Sequence, residues 1–236
     1  MIDKNYLQTI AIKNQTTFDN IAREYLQQLF LSIFYQLPGS EKFLFKGGTA
    51  LRLIFRSPRF SEDIDFSVTG DISTFENILI DVLEELKKND IDCQLITAEK
   101  TTGGYIAKIS AKLYDQKFTI LFNLSERRKK TDKGERNTIT GDYFPAFPVS
   151  ILEKKSLINE KIEALLIRSK PRDFFDLYFI LRSNLLSTAG KGILKKVIPV
   201  LQKTKLDFNR ELKVFLPKSY WPVIKDLKRL LMNEIE

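Results

Sequence analysis

The sequence predicts an α+β protein, in which a lobe built on a mixed sheet over residues 1–145 is followed by an all-helical lobe over residues 146–236. Two observations lead to this prediction. In the first part of the chain, short runs with strand-like alternation are interleaved with amphipathic helices, and from about residue 150 the pattern becomes helical. A chain of 236 residues is long enough for one large domain or two small ones with buried cores.

Helices are predicted where apolar side chains recur at helical spacing. Residues 14–36 show this spacing, with Asn14 or Thr16 as the expected N-cap, and residues 73–89 form a second amphipathic segment. Helical patterns return at 150–170 and 171–183 and continue in lysine-rich segments to the end of the chain.

Strands are predicted in four runs, namely 61–68, 91–97, 104–114 and 117–124. The last two are separated by two residues and form a hairpin. A further short buried strand precedes a glycine turn and a short helix within residues 41–56. The run 126–142 has no apolar periodicity and is predicted to be a loop or a mobile arm.

The residue composition excludes several classes of enzyme. The chain has no histidine, which rules out Ser-His-Asp and Cys-His catalysis and histidine-ligated metal sites. Its one cysteine, Cys93, cannot form an internal disulfide or hold a zinc cluster. Catalysis therefore has to use carboxylates, lysines, hydroxyls and hard metal ions, which favours magnesium-assisted phosphoryl or nucleotidyl transfer.

The sequence gives no sign of membrane insertion or export. No stretch approaches eighteen consecutive apolar residues, and the N-terminus lacks the layout of a secretory signal. We therefore expect a cytoplasmic, reduced location and no membrane partner.

Charge is unevenly distributed along the chain, whose net charge is +8. Residues 1–118 contain 14 basic and 16 acidic side chains, and residues 119–236 contain 24 and 14. This asymmetry suggests a metal-binding portion beside a surface for a polyanion. Solvated lysines on helix faces would explain it equally well.

The strongest chemical signal is the pair of segments KGGTAL (46–51) and SEDIDF (61–66). Residues i and i+2 of a strand share a face, so Asp63 and Asp65 point the same way, with Ser61 beside them. Two carboxylates at this spacing form a hard-oxygen pocket for a divalent metal that also binds nucleotide phosphates.

The glycines of the first segment suit a close approach of the backbone to a phosphate. Gly47 and Gly48 have no side chain to obstruct that approach, and a helix opening at Thr49 would direct its amides at the same anion. Each segment alone has an ordinary structural explanation. Their order along the chain favours function.

A second segment, EKIEALLIRSKPRDFFDLYFIL, also places charges on defined faces. Lys161 and Arg168 are seven residues apart and share one helix face. Pro171 suits the first turn of the next helix, where the Asp173 carboxylate is stabilised, and Asp176 follows on the same face. A solvated lysine and an aspartate paired with a neighbouring arginine are the structural alternatives.

Together, FKGGTALRL…RFSEDIDF and this second segment resemble the AbiEii/AbiGii toxin family, which is related to the MenT toxins within the DNA polymerase β-like nucleotidyltransferase superfamily. The resemblance spans about residues 43–182. It implies a polymerase β-like catalytic lobe and a toxin of a type IV toxin–antitoxin or abortive-infection system. It also implies a cognate antitoxin with a winged-helix DNA-binding portion.

The resemblance further implies roles for individual residues. Asp63 and Asp65 would bind Mg²⁺ or Mn²⁺, Lys161 would hold the nucleotide phosphates, and Asp173 would complete the acidic cluster or orient Lys161. The remaining residues assigned to the nucleotide are Lys46, Gly47, Gly48, Thr49, Ser61, Arg168 and Asp176.

One position departs from the superfamily pattern, which often adds a third acid on a later strand. The best-placed residue here is Asn123, which cannot act as a carboxylate base. Either Asp173 or Asp176 substitutes for it, or the substrate itself holds most of a second metal. Loss of activity is a further alternative.

The basic tract Arg127, Arg128, Lys129 and Lys130 is a candidate clamp for an RNA backbone. Other basic residues that could extend it are Lys133, Arg136, Lys191, Lys195, Lys196, Lys203 and Lys205. An ordinary solvated loop explains the tract equally well.

The favoured function is transfer of a nucleotide from an NTP to an RNA, at the 3′ end of tRNA, which would block translation. Nucleotidylation of a small molecule or of a protein hydroxyl remains an alternative. An inactive domain that only binds RNA or its partner is a non-enzymatic alternative.

Overall fold

The computed structural model describes residues 2–126, 134–186 and 192–235, and the chain divides into two compact units. The first unit comprises Met1–Arg56 and Phe60–Glu153, and the second comprises Ser57–Arg59 and Lys154–Glu236. The division after Glu153 falls a few residues beyond the boundary expected at residue 145.

The first unit combines helices with one mixed sheet. Its helices are α1 (Lys4–Lys13), α2 (Phe18–Phe34), α3 (Gly47–Leu53) and α4 (Thr74–Lys88). Its strands are β1 (Phe43–Lys46), β2 (Ile64–Val68), β3 (Asp92–Thr101), β4 (Gly104–Leu113), β5 (Gln116–Glu126), β6 (Gly134–Ile139) and β7 (Phe147–Leu152).

The sheet places β2 between β1 and β5. Its strand order is β3-β4-β5-β2-β1-β7-β6. β2 is antiparallel to β1 and parallel to β5, and β1 is parallel to β7, so the predicted mixed sheet is confirmed. A strand with neighbours on both sides has its backbone fixed by two hydrogen-bonded ladders, which makes β2 a rigid support for side chains.

Helices cover one face of this sheet, and a layer of phenylalanine rings fills the space between the helices and the strands. Phe34 of α2 packs against Phe66 of β2 with ring centroids 5.2 Å apart, and Phe30 packs against Phe122 of β5 at 4.5 Å. Phe75 of α4 lies 6.2 Å from Phe66. All five rings are fully buried. Because strand side chains alternate between faces, the residues between these aromatics lie on the opposite face of the sheet.

The sequence predicted most elements of this unit and misplaced others. The helix expected at 14–36 is α2, capped by Thr17 rather than by Asn14 or Thr16, and α1 was not predicted. β6 lies within the run 126–142 that was expected to be a loop, because its strand structure comes from pairing with β7 rather than from apolar alternation. The segment from 150 to 152, expected to be helical, belongs to β7.

The second unit is helical in its described residues, as predicted. Its helices are α5 (Lys154–Arg168), α6 (Pro171–Arg182), α7 (Leu194–Lys203), α8 (Phe208–Phe215), α9 (Trp221–Lys225) and α10 (Leu227–Ile235). α6 is the central helix, and it packs against α5, α8 and α10 through residues that include the buried Phe174 and Phe175. None of the helices in the described ranges of either unit has both the length and the apolar character needed to cross a bilayer.

Candidate active site

The two predicted carboxylates lie at the start of β2. Ile64 and Phe66 are fully buried, whereas Asp63 and Asp65 are half-buried. The predicted alternation of buried and half-buried side chains is therefore present. The phenylalanine layer determines which residues of β2 face the helices. Asp65 lies on the sheet face opposite the helices.

Asp65 is the centre of a row of polar residues across three neighbouring strands. Lys46 of β1 and Asn123 of β5 both lie directly opposite Asp65 in the strand registers. The Asn123 side-chain amide donates a hydrogen bond to Asp65 Oδ1 at 3.0 Å. The Lys46 ammonium donates to Ser125 Oγ at 2.7 Å. Asp65 is therefore oriented by an amide donor on one side and has a cationic residue on the other.

Gly47 makes the closest approach to this carboxylate. Its backbone is left-handed, with φ +81°, and a Cβ atom placed there would lie 1.9 Å from Asp65 Oδ2. Only glycine can occupy this position, because any other side chain would displace the carboxylate or strain the backbone. The glycine turn was predicted to admit a phosphate, and in this structure it also makes room for Asp65.

The loop that presents Asp63 is held by side chains from inside the first unit. The Gln27 amide, on α2, donates to the carbonyl oxygens of Ser61 at 3.0 Å and Glu62 at 2.9 Å. The Thr49 hydroxyl, on α3, donates to the carbonyl oxygen of Asp63. Three consecutive carbonyl groups are thus satisfied by two side chains that are each about 1% exposed. We call Gln27 and Thr49 the carbonyl clamp.

Sequence reasoning missed Gln27, because 34 residues separate it from Ser61. The available signal was a pair of glutamines, Gln27 and Gln28, in a helix whose other buried residues are mostly apolar. Thr49 was predicted to contact a nucleotide, and in this structure its buried hydroxyl donates a hydrogen bond to the loop that carries Asp63.

The carboxylate pair suits a divalent cation that shares its ligands with a substrate. Among the described residues no group of three or more acidic, cysteine or histidine side chains could enclose a metal. Mg²⁺ is usually held by one or two carboxylates together with water and substrate phosphates. Asp63 and Asp65 match that donor set.

A second set of predicted residues meets within the second unit. Asp176 accepts hydrogen bonds from Arg59 Nε at 2.7 Å, Arg59 Nη2 at 2.9 Å and Lys161 Nζ at 2.8 Å. Burial by itself raises the pKa of the Asp176 carboxyl, but the charges and hydrogen bonds of Arg59 and Lys161 outweigh it and lower that pKa to about 2. Lys161 is therefore oriented by a carboxylate that stays ionised.

Asp173 forms a separate ion pair in the same unit. Its carboxylate accepts from Arg168 Nε at 2.9 Å and Nη2 at 2.7 Å, and from the backbone N–H of Lys170 at 3.1 Å. It lies in the first turn of α6, which begins at Pro171 as predicted. The carboxylate that bonds Lys161 is thus Asp176, and Asp173 stabilises the start of α6. Sequence reasoning missed Arg59, which looked like part of a turn.

The remaining predicted residues are distributed as follows. Gly48 is buried in α3, and Ser61 is half-buried just before Asp63. The tract Arg127–Lys130, Lys133 and Lys191 lie outside the described residues. The other basic residues expected at an RNA surface are exposed, namely Arg136, Lys195, Lys196, Lys203 and Lys205.

Comparison with known proteins gives one family and several solved structures. Residues 29–218 match the family described as "Nucleotidyl transferase AbiEii toxin, Type IV TA system". JHP933 from Helicobacter pylori is 22% identical with a TM-score of 0.67, covering 93% of this chain and 91% of its own. MenT4, a nucleotidyltransferase toxin from Mycobacterium tuberculosis, is 15% identical with a TM-score of 0.65, covering 100% and 90%. No curated protein sequence matches the chain.

The contact between Gly47 and Asp65 predicts a sensitivity to one methyl group. Gly47→Ala places a Cβ atom on the carboxylate and should lower the Mn²⁺ affinity, measured by calorimetry, about 10-fold or more. Gly103→Ala is the matched control, since a Cβ atom there meets nothing within 4 Å. Equal affinities in the two variants would contradict this assignment.

The carbonyl clamp predicts that Gln27 orients the acidic loop. Gln27→Leu leaves two carbonyl groups unpaired, and it should lower the free energy of unfolding by about 1–3 kcal/mol and weaken Mn²⁺ binding. Gln36→Leu, at an exposed glutamine just beyond α2, should change neither quantity. Denaturant unfolding and calorimetry measure both. Unaltered metal binding in Gln27→Leu would show that the clamp is only structural.

The Asp176 ion pairs predict a loss of stability in acid. The pKa of Asp176 is about 2 in the folded state and about 3.9 when unfolded, so its contribution of about 2–3 kcal/mol is complete above about pH 5 and is lost as the pH falls through 2. Asp176→Asn should be less stable at neutral pH, because Arg59 and Lys161 lose their partner, and its stability should fall less between pH 4 and 2. Urea titrations across this range measure the difference. Parallel pH profiles would refute it.

Proposed function

We propose, since this chain belongs to the nucleotidyl transferase AbiEii toxin family of type IV toxin–antitoxin systems, that it transfers a nucleotide from an NTP to the 3′ end of a tRNA and thereby blocks translation. The observation that supports this most is the arrangement around Asp65. A carboxylate fixed by Asn123 and Gly47 lies next to a second, Asp63, whose loop is tied down by the carbonyl clamp.

The site residues would act by holding charge in place. Asp63 and Asp65 would hold Mg²⁺ or Mn²⁺, which when bound neutralises triphosphate charge and lowers the pKa of a nearby hydroxyl. A ligand that is already oriented needs no rearrangement as charge develops during the reaction. The hydrogen bond from Asn123 and the contact with Gly47 supply that orientation for Asp65.

The proposed reaction forms one bond and breaks one. The oxygen of the RNA 3′-hydroxyl attacks the α-phosphorus of the NTP, and the bond from that phosphorus to the bridging oxygen of the β-phosphate breaks, so pyrophosphate leaves. Asn123 cannot accept the hydroxyl proton, because an amide is not a base at neutral pH. The proton therefore goes to a carboxylate of the pair or to water.

The helical lobe carries the basic residues that we assign to the nucleotide. On the strength of the family motif, we assign Lys161 and Arg168 to the nucleotide phosphates. Asp176 supports Lys161, and Asp173 supports Arg168. The support from this chain is that Asp176 keeps Lys161 charged and fixed in orientation. A lysine held in this way can neutralise charge on a transferred phosphoryl group.

The proposed acceptor and partner follow from charge and from the family. A net charge of +8 favours a polyanionic acceptor such as RNA. Membership of a type IV toxin–antitoxin family implies a cognate antitoxin and an NTP substrate. We propose that this antitoxin carries a winged-helix DNA-binding portion.

The deciding experiment supplies purified protein with total tRNA, Mg²⁺ and each labelled NTP in turn. One NTP should label tRNA, and Asp63→Asn should reduce the rate about 1,000-fold or more, which corresponds to about 4 kcal/mol of lost transition-state stabilisation. Asp81→Asn, at an exposed aspartate on α4, should leave the rate unchanged.

Other results of this labelling experiment would distinguish between the alternative functions. Nucleotide binding without any labelled RNA would overturn the RNA acceptor and favour a protein or small-molecule acceptor. Equal labelling by wild type and Asp63→Asn would overturn the role of the carboxylate pair. Absence of both binding and labelling would favour a domain that only binds its partner.

A further inference from the structure

The polar face of the sheet extends well beyond the carboxylate pair. Asn123 lies opposite Ile106 of β4, and two residues further along β5 Leu121 lies opposite Lys108. One residue before the hairpin ends, Lys112 of β4 lies opposite Lys117 of β5. Because directly opposed residues share a sheet face, all of these side chains lie on the same face as Asp65. We call this surface the open face.

We propose that the open face binds the single-stranded end of the acceptor RNA, with Lys108, Lys112 and Lys117 contacting its phosphates. This inference rests on the proposed function, since it takes the nucleotide acceptor to be RNA. The 3′ end lies at Asp65, and the strand runs along β4 and β5 toward the turn at Asp115.

The three amines are available to a ligand. Lys112 and Lys117 are exposed and Lys108 is partly exposed, and within the described ranges none of them forms an ion pair. When these lysines bind phosphate oxygens, they displace only water, and counterions are released. Counterion release is the usual source of affinity for nucleic acids.

Basic and acidic side chains of the open face lie on different strands. The lysines lie on the two inner strands, whereas the acidic residues Asp92 and Glu99 lie on the edge strand β3, opposite Lys112 and Ile106. A polyanion is therefore attracted to the middle of the face and repelled from its rim.

The dimensions suit a short single strand rather than a duplex. Leu121 is about 7 Å along β5 from Asn123, and Lys117 is about 20 Å away, at about 3.3 Å per residue. An extended strand can follow such a track one phosphate at a time. Ile106, which is 37% exposed, and Leu121 supply apolar contact for bases, so binding should depend little on sequence.

The test is a triple variant, Lys108→Gln, Lys112→Gln and Lys117→Gln, compared with a control that loses the same charge on the helical side of the first unit. The control replaces Lys13, Lys87 and Lys88, which are exposed on α1 and α4. Fluorescence anisotropy with single-stranded RNA of increasing length measures affinity at several salt concentrations. Labelling assays measure KM for RNA, KM for the NTP and kcat.

The expected result is specific to RNA. The triple variant should bind RNA about 10-fold or more weakly, and the slope of log affinity against log salt should become smaller by about 2. Its KM for RNA should rise, while KM for the NTP and kcat at saturating RNA stay near those of the control. In the wild type, affinity should rise with RNA length until the strand reaches Lys112 and Lys117, and then level off.

Two results would overturn the inference, and they differ. If the triple variant labels RNA with the same KM as the control variant, the open face does not bind the acceptor RNA, and the proposed function still stands. Failure of the wild type to bind or label any RNA would refute the proposed acceptor, and this inference with it. Circular dichroism of both variants confirms that the exposed substitutions leave the fold intact.

Discussion

The burial of phenylalanine rings beneath α2 and α4 is the constraint on which the rest of the first unit depends. Phe66 is locked between Phe34 and Phe75, so β2 cannot slip by one residue without bringing Asp65 into the core and Phe66 into water. The same packing sets β1 and β5 through Phe43 and Phe122. The polar row on the other face is thus a consequence of apolar packing on the buried face.

Rigidity around the carboxylates comes from several weak contacts that converge. The Asp65 carboxylate accepts a hydrogen bond from Asn123 and lies close against the Gly47 backbone, whereas the Asp63 carbonyl oxygen accepts a hydrogen bond from Thr49. Neighbouring carbonyl groups are held by Gln27. Each bond contributes only about 1 kcal/mol to stability, but together they remove alternative positions for two groups that repel each other. A cation bound between them would relieve that repulsion.

In the second unit, the main electrostatic constraint is a buried carboxylate. Asp176 is buried, so its charge has to be matched, and Arg59 and Lys161 together provide two positive charges for one negative charge. Arg59 also feels the negative charges of Asp173 and Glu211, so its charge is shared among several carboxylates. Asp173 and Arg168, in contrast, form a balanced pair at the start of α6.

The sequence alone determined the fold class, the strand that carries Asp63 and Asp65, the glycine turn and the helix that begins at Pro171, because these depend on local periodicity and on residues with special backbone preferences. Only the tertiary structure decided which residues support them. Gln27, Asn123 and Arg59 reach their partners across 34, 58 and 117 residues, and β6 exists through its pairing with β7. Contacts of that range depend on how distant segments pack, and no local pattern in the chain encodes them.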